Sequence, residues 1–175
     1  HLQRTHRITH FTFFDTTRSV LVRLHRDERQ DTVDRYSLLE AQRSQKMAWG
    51  IEIGSFGMLV LRTVHPVFEE GVLVGYVEIG KPIEDIFRLL HVNLSSHFAV
   101  LIDKVHIQKK MWEEYASVYK ERFGWDTFEK SVAVFVSRKA FPYAMHLDTI
   151  DDELAYNEMV FDGKTWVMYK KALHD

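Results

Sequence analysis

The chain has 175 residues, enough for one good-sized domain or two small modules. Its 23 basic and 25 acidic side chains nearly cancel, which argues against non-specific nucleic-acid binding, a property that needs a net basic face. With no cysteine there is no disulfide, thiolate zinc site or cysteine nucleophile, while 12 Phe, 7 Tyr and 4 Trp supply material for a packed core.

No uncharged apolar run reaches the roughly 18–20 residues that a membrane helix needs. The longest candidate, Leu89 to Ile102, is interrupted by His91, Asn93, Ser95, Ser96 and His97. The chain opens at His1 without a signal-peptide pattern, and both ends fall within sequence that reads as structured. It is therefore expected to be a piece of a larger protein.

Residues Ile8 to Phe14 (ITHFTFF) combine β-branched and aromatic types and predict a strand. Asp15-Thr16-Thr17-Arg18 is a polar turn, and Ser19 to His25 (SVLVRLH) is the return strand of a hairpin. After the charged stretch Arg26 to Asp31, Val33 to Gln45 predicts a helix capped by Asp31 or Thr32, with Tyr36, Leu39 and Arg43 along one side. Met47 to Ile53, Met58 to Phe68 and Val72 to Ile79 predict three more strands, with Gly54 and Gly57 separating the first two. Glu69-Glu70-Gly71 joins the last two, and a three-residue hairpin loop places Gly at its final, positive-φ position. In that register Arg62 faces Glu78 and Val64 faces Tyr76; a one-residue slip would undo it. Pro82 suits the first turn of a helix from Ile83 to Leu94. The order to this point is β-β-α-β-β-β-α, one compact unit.

Further on, FAVLID from Phe98 predicts a strand buried on both faces. Val105 to Phe123 predicts an amphipathic helix, with Ile107, Met111, Trp112, Tyr115, Val118, Tyr119 and Phe123 at helical spacing and Gly124 closing it. Ser131 to Ser137 is another strand. Tyr156 to Lys171 is a hairpin around Asp162-Gly163. Pro142 breaks Phe141 to Asp152, which fits no single element.

Glu52, Arg62, His65 and Glu78 stand where a core strand should be apolar. A strand carries such groups inward only if they pair with each other or meet a ligand. Alternation groups Arg62, Tyr76 and Glu78 on one face, with Trp49, Glu52 and His65 at its border. On the second strand, Arg23 and His25 share a face with Leu21. Two readings stay open, and within the first Glu78 can also hold the amine of an amino-acid-like ligand while Arg62 holds its acid group. Arg62 binds the acid group of a small polar molecule in a two-pronged hydrogen bond, with Tyr76 or Trp49 as an aromatic wall; or Arg62 and Glu78 form an internal ion pair with no ligand. His6 and His10 have the spacing of helical zinc ligands, but Ile8 onward reads as strand, so no metal site is assigned. No nucleophile has an adjacent base and orienter, Asp151-Asp152-Glu153 reads as a solvated loop or helix start, and the glycines form no phosphate loop. Neither an enzyme nor a cofactor is expected.

HFTFFD, SVLVRLHR, WGIEIGSFGMLVLRTVHPVF and GVLVGYVEIGKPI resemble the extracytoplasmic double Cache sensor domains of bacterial signalling receptors, most of all those of sensor histidine kinases. The resemblance implies an α+β, PAS-like fold: a five-stranded antiparallel sheet with helices on one side and a pocket on the other. It implies two such modules, 1–94 and 95–175. The second is either complete or truncated at Leu173-His174-Asp175, where the family continues into a last strand. The long helix that usually precedes the first strand is missing or reduced to His1 to Arg7. The resemblance also implies a periplasmic location in a membrane-spanning parent, a homodimer in the full receptor, and a small-molecule ligand such as a carboxylate or amino acid. The alternative in the same receptor type is a dimerising spacer that binds nothing.

Overall fold

The computed structural model describes residues 8–24, 32–54, 57–94, 96–118, 124–138 and 156–169. The chain divides into two compact units, His1–Leu89 and Leu90–Asp175.

The first unit is built on one antiparallel sheet of order β2-β1-β5-β4-β3. Its strands are β1 (His10–Phe14), β2 (Val20–Arg23), β3 (Ala48–Ile53), β4 (Leu59–Glu69) and β5 (Val72–Pro82), with helix α1 (Tyr36–Ser44) between β2 and β3. The expected five-stranded sheet with flanking helices is the one found. Long β4 and β5 form its spine because their side chains alternate, burying Val60, Arg62 and Val64 on one face. Buried Leu38 and Ala41 of α1 close over Phe14, Val20, Ala48, Val64 and Tyr76 to make the apolar core. The other face carries partly exposed Phe13, Trp49, Ile53 and Ile79.

The β4–β5 turn corrects the expected register. Glu69 pairs with Val72, so the loop is the two residues Glu70 and Gly71, both at positive φ (50° and 83°). That is the primed turn whose twist matches the flanking strands. A bulge at Val67/Phe68 follows, and Arg62 then pairs with Gly80, Val64 with Glu78 and Pro66 with Tyr76. The slip is two residues, an even number, so every side chain keeps its face. Strand β5 also runs through Pro82 rather than ending at Ile79, and helix α2 (Ile83–Leu94) follows directly. Proline is tolerated there because β1 pairs with β5 only as far as Gly80.

In the second unit, β6 (Ala99–Asp103) pairs with β7 (Ser131–Val136), and β8 (Tyr156–Phe161) with β9 (Lys164–Tyr169). Strand β6 buries Val100 and Ile102 while its other positions are more open, so it is covered fully on one face, not two. The long helix expected from Val105 starts later. The Asp103 carboxylate accepts the Val105 N–H and caps a short 3₁₀ turn, Lys104–His106. Ile107 is extended, and α3 (Lys109–Val118) begins beyond it, with Trp112 fully buried. Tyr119 and Phe123 lie outside the described residues, as does Phe141 to Asp152. Among the described residues no helix is long and apolar enough to cross a membrane.

A histidine pair is expected to give this unit a pH dependence. The rings of His91 and His97 are 5.1 Å apart, and Trp166 of β9 stacks 5.0 Å from His97. Ser137 Oγ lies 3.4 Å from His97 Nδ1, and Arg138, ion-paired to Asp162 at 3.5 Å, adds positive charge. Burial pushes the His97 imidazole below its ordinary 6.5, helped by His91 and Arg138. The unfolded chain then binds the proton more readily than the folded one. Stability from this group is complete above pH 6.5 and lost as pH falls through the depressed value. Unfolding titrations between pH 7 and 5 should therefore show a steeper fall for the wild type than for His97→Gln. Equal slopes would mean that the pair does not matter.

Candidate functional site

Cross-strand pairing arranges the inner face of the first sheet in rows. One row runs Gly50, Arg62, Gly80, His10; the next runs Ala48, Val64, Glu78, Thr12, Arg23; a third holds Pro66, Tyr76, Phe14 and Val20. The first two rows carry the charged side chains, the second together with apolar Ala48 and Val64, and the third is apolar apart from the Tyr76 hydroxyl. Arg62 lies between two glycines. A Cβ on Gly80 would come 2.9 Å from both His10 Cβ and Val60 Cγ1, and one on Gly50 would meet the Tyr36 ring at 3.3 Å. The bare backbone at Gly50 lets the start of α1 approach the sheet.

Arg62 is 2% exposed and Glu78 0%. Arg62 Nη1 donates to Glu78 Oε1 at 2.8 Å, and its Nε lies 3.3 Å from Glu52 Oε2. Glu52 Oε1 accepts the Ser37 N–H at 2.7 Å. The N-cap residue of α1, Arg35, makes no side-chain cap hydrogen bond, so the β3 carboxylate of Glu52 satisfies one of the free amides of the first turn. The Arg35 side chain instead reaches Glu78, with Nη2 3.2 Å from Oε2. Two carboxylates thus meet two guanidinium groups and a helix N-terminus in a largely dry space. Burial pulls the Arg35 guanidinium below its usual value; Glu78 and Glu52 oppose this, while Arg62 and Arg23 add to it. Arg35 Nε, Arg62 Nε, Ser37 Oγ, Glu52 Oε2, Glu78 Oε2 and the Tyr76 hydroxyl are buried with no hydrogen-bond partner among the described residues, so the cluster leaves both donors and acceptors unmet.

The structure brings together Arg62, Glu78 and Glu52, the last as a direct partner rather than a border residue. Tyr76 moves away from them. The two-residue slip sets it opposite Pro66, inside the apolar core. Trp49 and His65 leave the site. Ala48 and Gly50 take the inward positions of β3, so Trp49 points outward opposite Thr63 and is 62% exposed. His65 is exposed on that same outer face, its Nδ1 2.8 Å from Pro66 O. Arg23 does not share a face with Leu21. A bulge between β1 and β2 sets Arg23 opposite buried Thr12 and leaves Leu21 exposed. His25 and His6 lie outside the described residues.

Sequence reasoning missed Arg35, Ser37 and Thr12. Arg35 was placed in the interior of a helix beginning at Val33, and its position at the true N-cap depends on a carboxylate from another strand. Thr12 alternates with Phe14 toward the core, a signal that was legible but unused.

A family profile described as the double sensory domain of two-component sensor kinase, a double Cache domain, matches residues 1–175. No curated protein sequence matches the chain. Among solved structures, it is similar to the ligand-binding domain of the Pseudomonas aeruginosa amino acid chemoreceptor PctC in complex with GABA, at 12% identity and a TM-score of 0.44. That match covers 91% of this chain and 65% of the other. The ligand-binding domain of the Pseudomonas fluorescens chemoreceptor CtaA in complex with L-serine matches at 15% identity and a TM-score of 0.46, over 93% and 65%. An extracellular ligand-binding receptor from Desulfohalobium retbaense matches at 11% identity and a TM-score of 0.48, over 95% and 28%. The chain therefore spans less than two thirds of each of these solved chains.

Proposed function

The chain belongs to the family of double sensory domains of two-component sensor kinases, and from that premise we propose that it is the extracytoplasmic ligand-sensing part of a bacterial transmembrane receptor, itself non-catalytic. In this proposal residues 1–94 and 95–175 form two modules, two copies associate in the full receptor, and the first module binds a small polar or anionic molecule. The observation that carries it is the charged cluster beneath α1. Arg35, Arg62, Glu52 and Glu78 converge there, and Arg35 Nε, Arg62 Nε, Ser37 Oγ, Glu52 Oε2 and Glu78 Oε2 are buried without a hydrogen-bond partner among the described residues. Buried polar atoms are costly when unpaired, and a polar guest would pair them. Binding would favour one arrangement of α1 over the sheet and so shift populations.

A second proposal, a spacer without ligand, draws on the same cluster. Arg62 is already held by Glu78 and Glu52, so the sheet's charges are largely satisfied internally. A thermal-shift screen of the chain against a broad metabolite panel separates the two. A ligand at 100 times its Kd adds about 2.7 kcal/mol of stability, a readily visible rise in Tm. We expect at least one polar metabolite to raise Tm, with the effect weakened by substitution in the cluster. A panel with no response would favour the spacer.

A further inference from the structure

Resting on the ligand-sensing proposal, we infer that α1 is a movable cover over the charged cluster and that Arg18, in the β1–β2 turn, is the positioning residue that clasps it shut. The cover follows from burial. Arg62 and Glu78 are sealed, at 2% and 0% side-chain exposure. The N-cap and first turn of α1 lie against them: Arg35 on Glu78, the Ser37 N–H on Glu52, and the Tyr36 ring against Gly50. A guest that reaches Arg62 has to displace that turn.

Taken alone, α1 is a weak helix. Its 9 residues fall short of the roughly 12–15 at which an isolated helix is even marginal. Its N-cap makes no side-chain hydrogen bond and its first turn has no acidic residue. Leu38 and Ala41 are its only buried apolar side chains. Its place over the sheet therefore depends on ties from other segments.

The β1–β2 turn supplies such a tie. The Arg18 N–H donates to Asp15 O at 3.2 Å and the Asp15 N–H to Ser19 O at 2.9 Å, which makes Thr16-Thr17-Arg18 a three-residue hairpin loop. The last loop position is left-handed, with φ 68°, where glycine is the default because a Cβ is crowded. An arginine stands there instead, and its side chain leaves the hairpin for the helix. Nη2 and Nε meet Asp34 Oδ1 at 2.9 and 3.2 Å, just ahead of the N-cap, and Nη1 donates to Gln42 Oε1 in the last turn. Gln42 Nε2 donates back to Thr16 O at 3.2 Å. One guanidinium thus ties both ends of α1 to a turn that carries none of the cluster's charges. Strain held at the root of a bridging side chain points to the bridge as its reason.

The test needs no guest. Arg18→Gly removes the clasp while suiting the left-handed position, so the hairpin itself is not strained by the change. Gln42→Ala removes the other half and raises helix propensity, so any loosening it causes cannot come from a poorer helix. Hydrogen exchange on the whole 175-residue chain should show the amides of Leu39 to Ser44 exchanging at least tenfold faster in either variant, with those of β4 and β5 within roughly twofold of the wild type. Because the chain has no cysteine, Ser37→Cys places a single thiol beneath α1. Its reaction with the aromatic disulfide DTNB should also quicken at least tenfold when Arg18→Gly is added. Unchanged exchange in α1 overturns the clasp, and equal acceleration in α1, β4 and β5 does so too, since Arg18 then only supports the fold as a whole. Faster α1 exchange with unchanged labelling overturns the cover, because Ser37 then stays enclosed. Each of these results leaves the ligand-sensing proposal standing; that proposal falls separately, to a silent metabolite panel.

Discussion

Replacing Arg62 by Met should cost about 3–5 kcal/mol of folding stability, read from urea unfolding of the chain. The side chain is long and apolar along its stem, so Met fills much of the same volume, and the loss comes from the charge. Among the described residues, without Arg62, Glu78 keeps only Arg35 at 3.2 Å, and Glu52 keeps only the Ser37 amide. Both carboxylates remain enclosed, and an uncompensated buried charge is expensive. The double variant Arg62→Met with Glu78→Leu should recover much of the loss, because replacing both partners of a buried pair by apolar groups is often close to neutral. The difference between the double variant and the sum of the singles gives the coupling; we expect it to exceed about 2 kcal/mol, toward the upper end for contacting residues. A loss below about 1 kcal/mol would show that Arg62 is not enclosed by the two glutamates.

This pair also shows what the sequence revealed and where it stopped. Alternation along β4 and β5 placed Arg62 and Glu78 on one inner face, and the structure keeps them there. Their exact opposition was wrong, because Glu70-Gly71 closes as a two-residue turn and a bulge absorbs one further residue. Local sequence allowed both loop lengths. An even slip preserves faces and changes neighbours, so the ion pair survived as a diagonal contact while Tyr76 moved into the apolar row. Trp49 fell on the wrong side because nothing local states which of Ala48 and Trp49 faces inward; packing beneath Leu38 and Ala41 decides it. Arg35 was the least legible residue. Its role follows from Glu52 capping a helix fifteen residues upstream, a tertiary contact that no local cap pattern announces. The start of α1 at Tyr36 instead of Val33 has the same cause.

Gly75→Ala should be nearly as damaging as Arg62→Met, at about 3 kcal/mol, for a backbone reason rather than an electrostatic one. Gly75 has φ +155°, and a Cβ there would lie 2.2 Å from the Phe14 carbonyl oxygen. That oxygen belongs to the backbone of β1, which pairs with β5 at the next residue, Phe14 with Tyr76. The clash has no flexible side chain to relieve it, so β1 must move away from β5. Such a shift would disturb Phe14 and Tyr76 in the core, and two residues on it would loosen the Thr12–Glu78 pairing beside the ion cluster. Gly71→Ala provides the control. Gly71 also has positive φ, +83°, but nothing lies within 4 Å of its would-be Cβ, so only the left-handed backbone penalty of about 1–2 kcal/mol applies. Urea unfolding of the two variants side by side should place Gly75→Ala well below Gly71→Ala. The reverse order would mean that β1 does not run against β5 in the register that sets Thr12 beside Glu78, and the rows that bring the charges together would have to be redrawn.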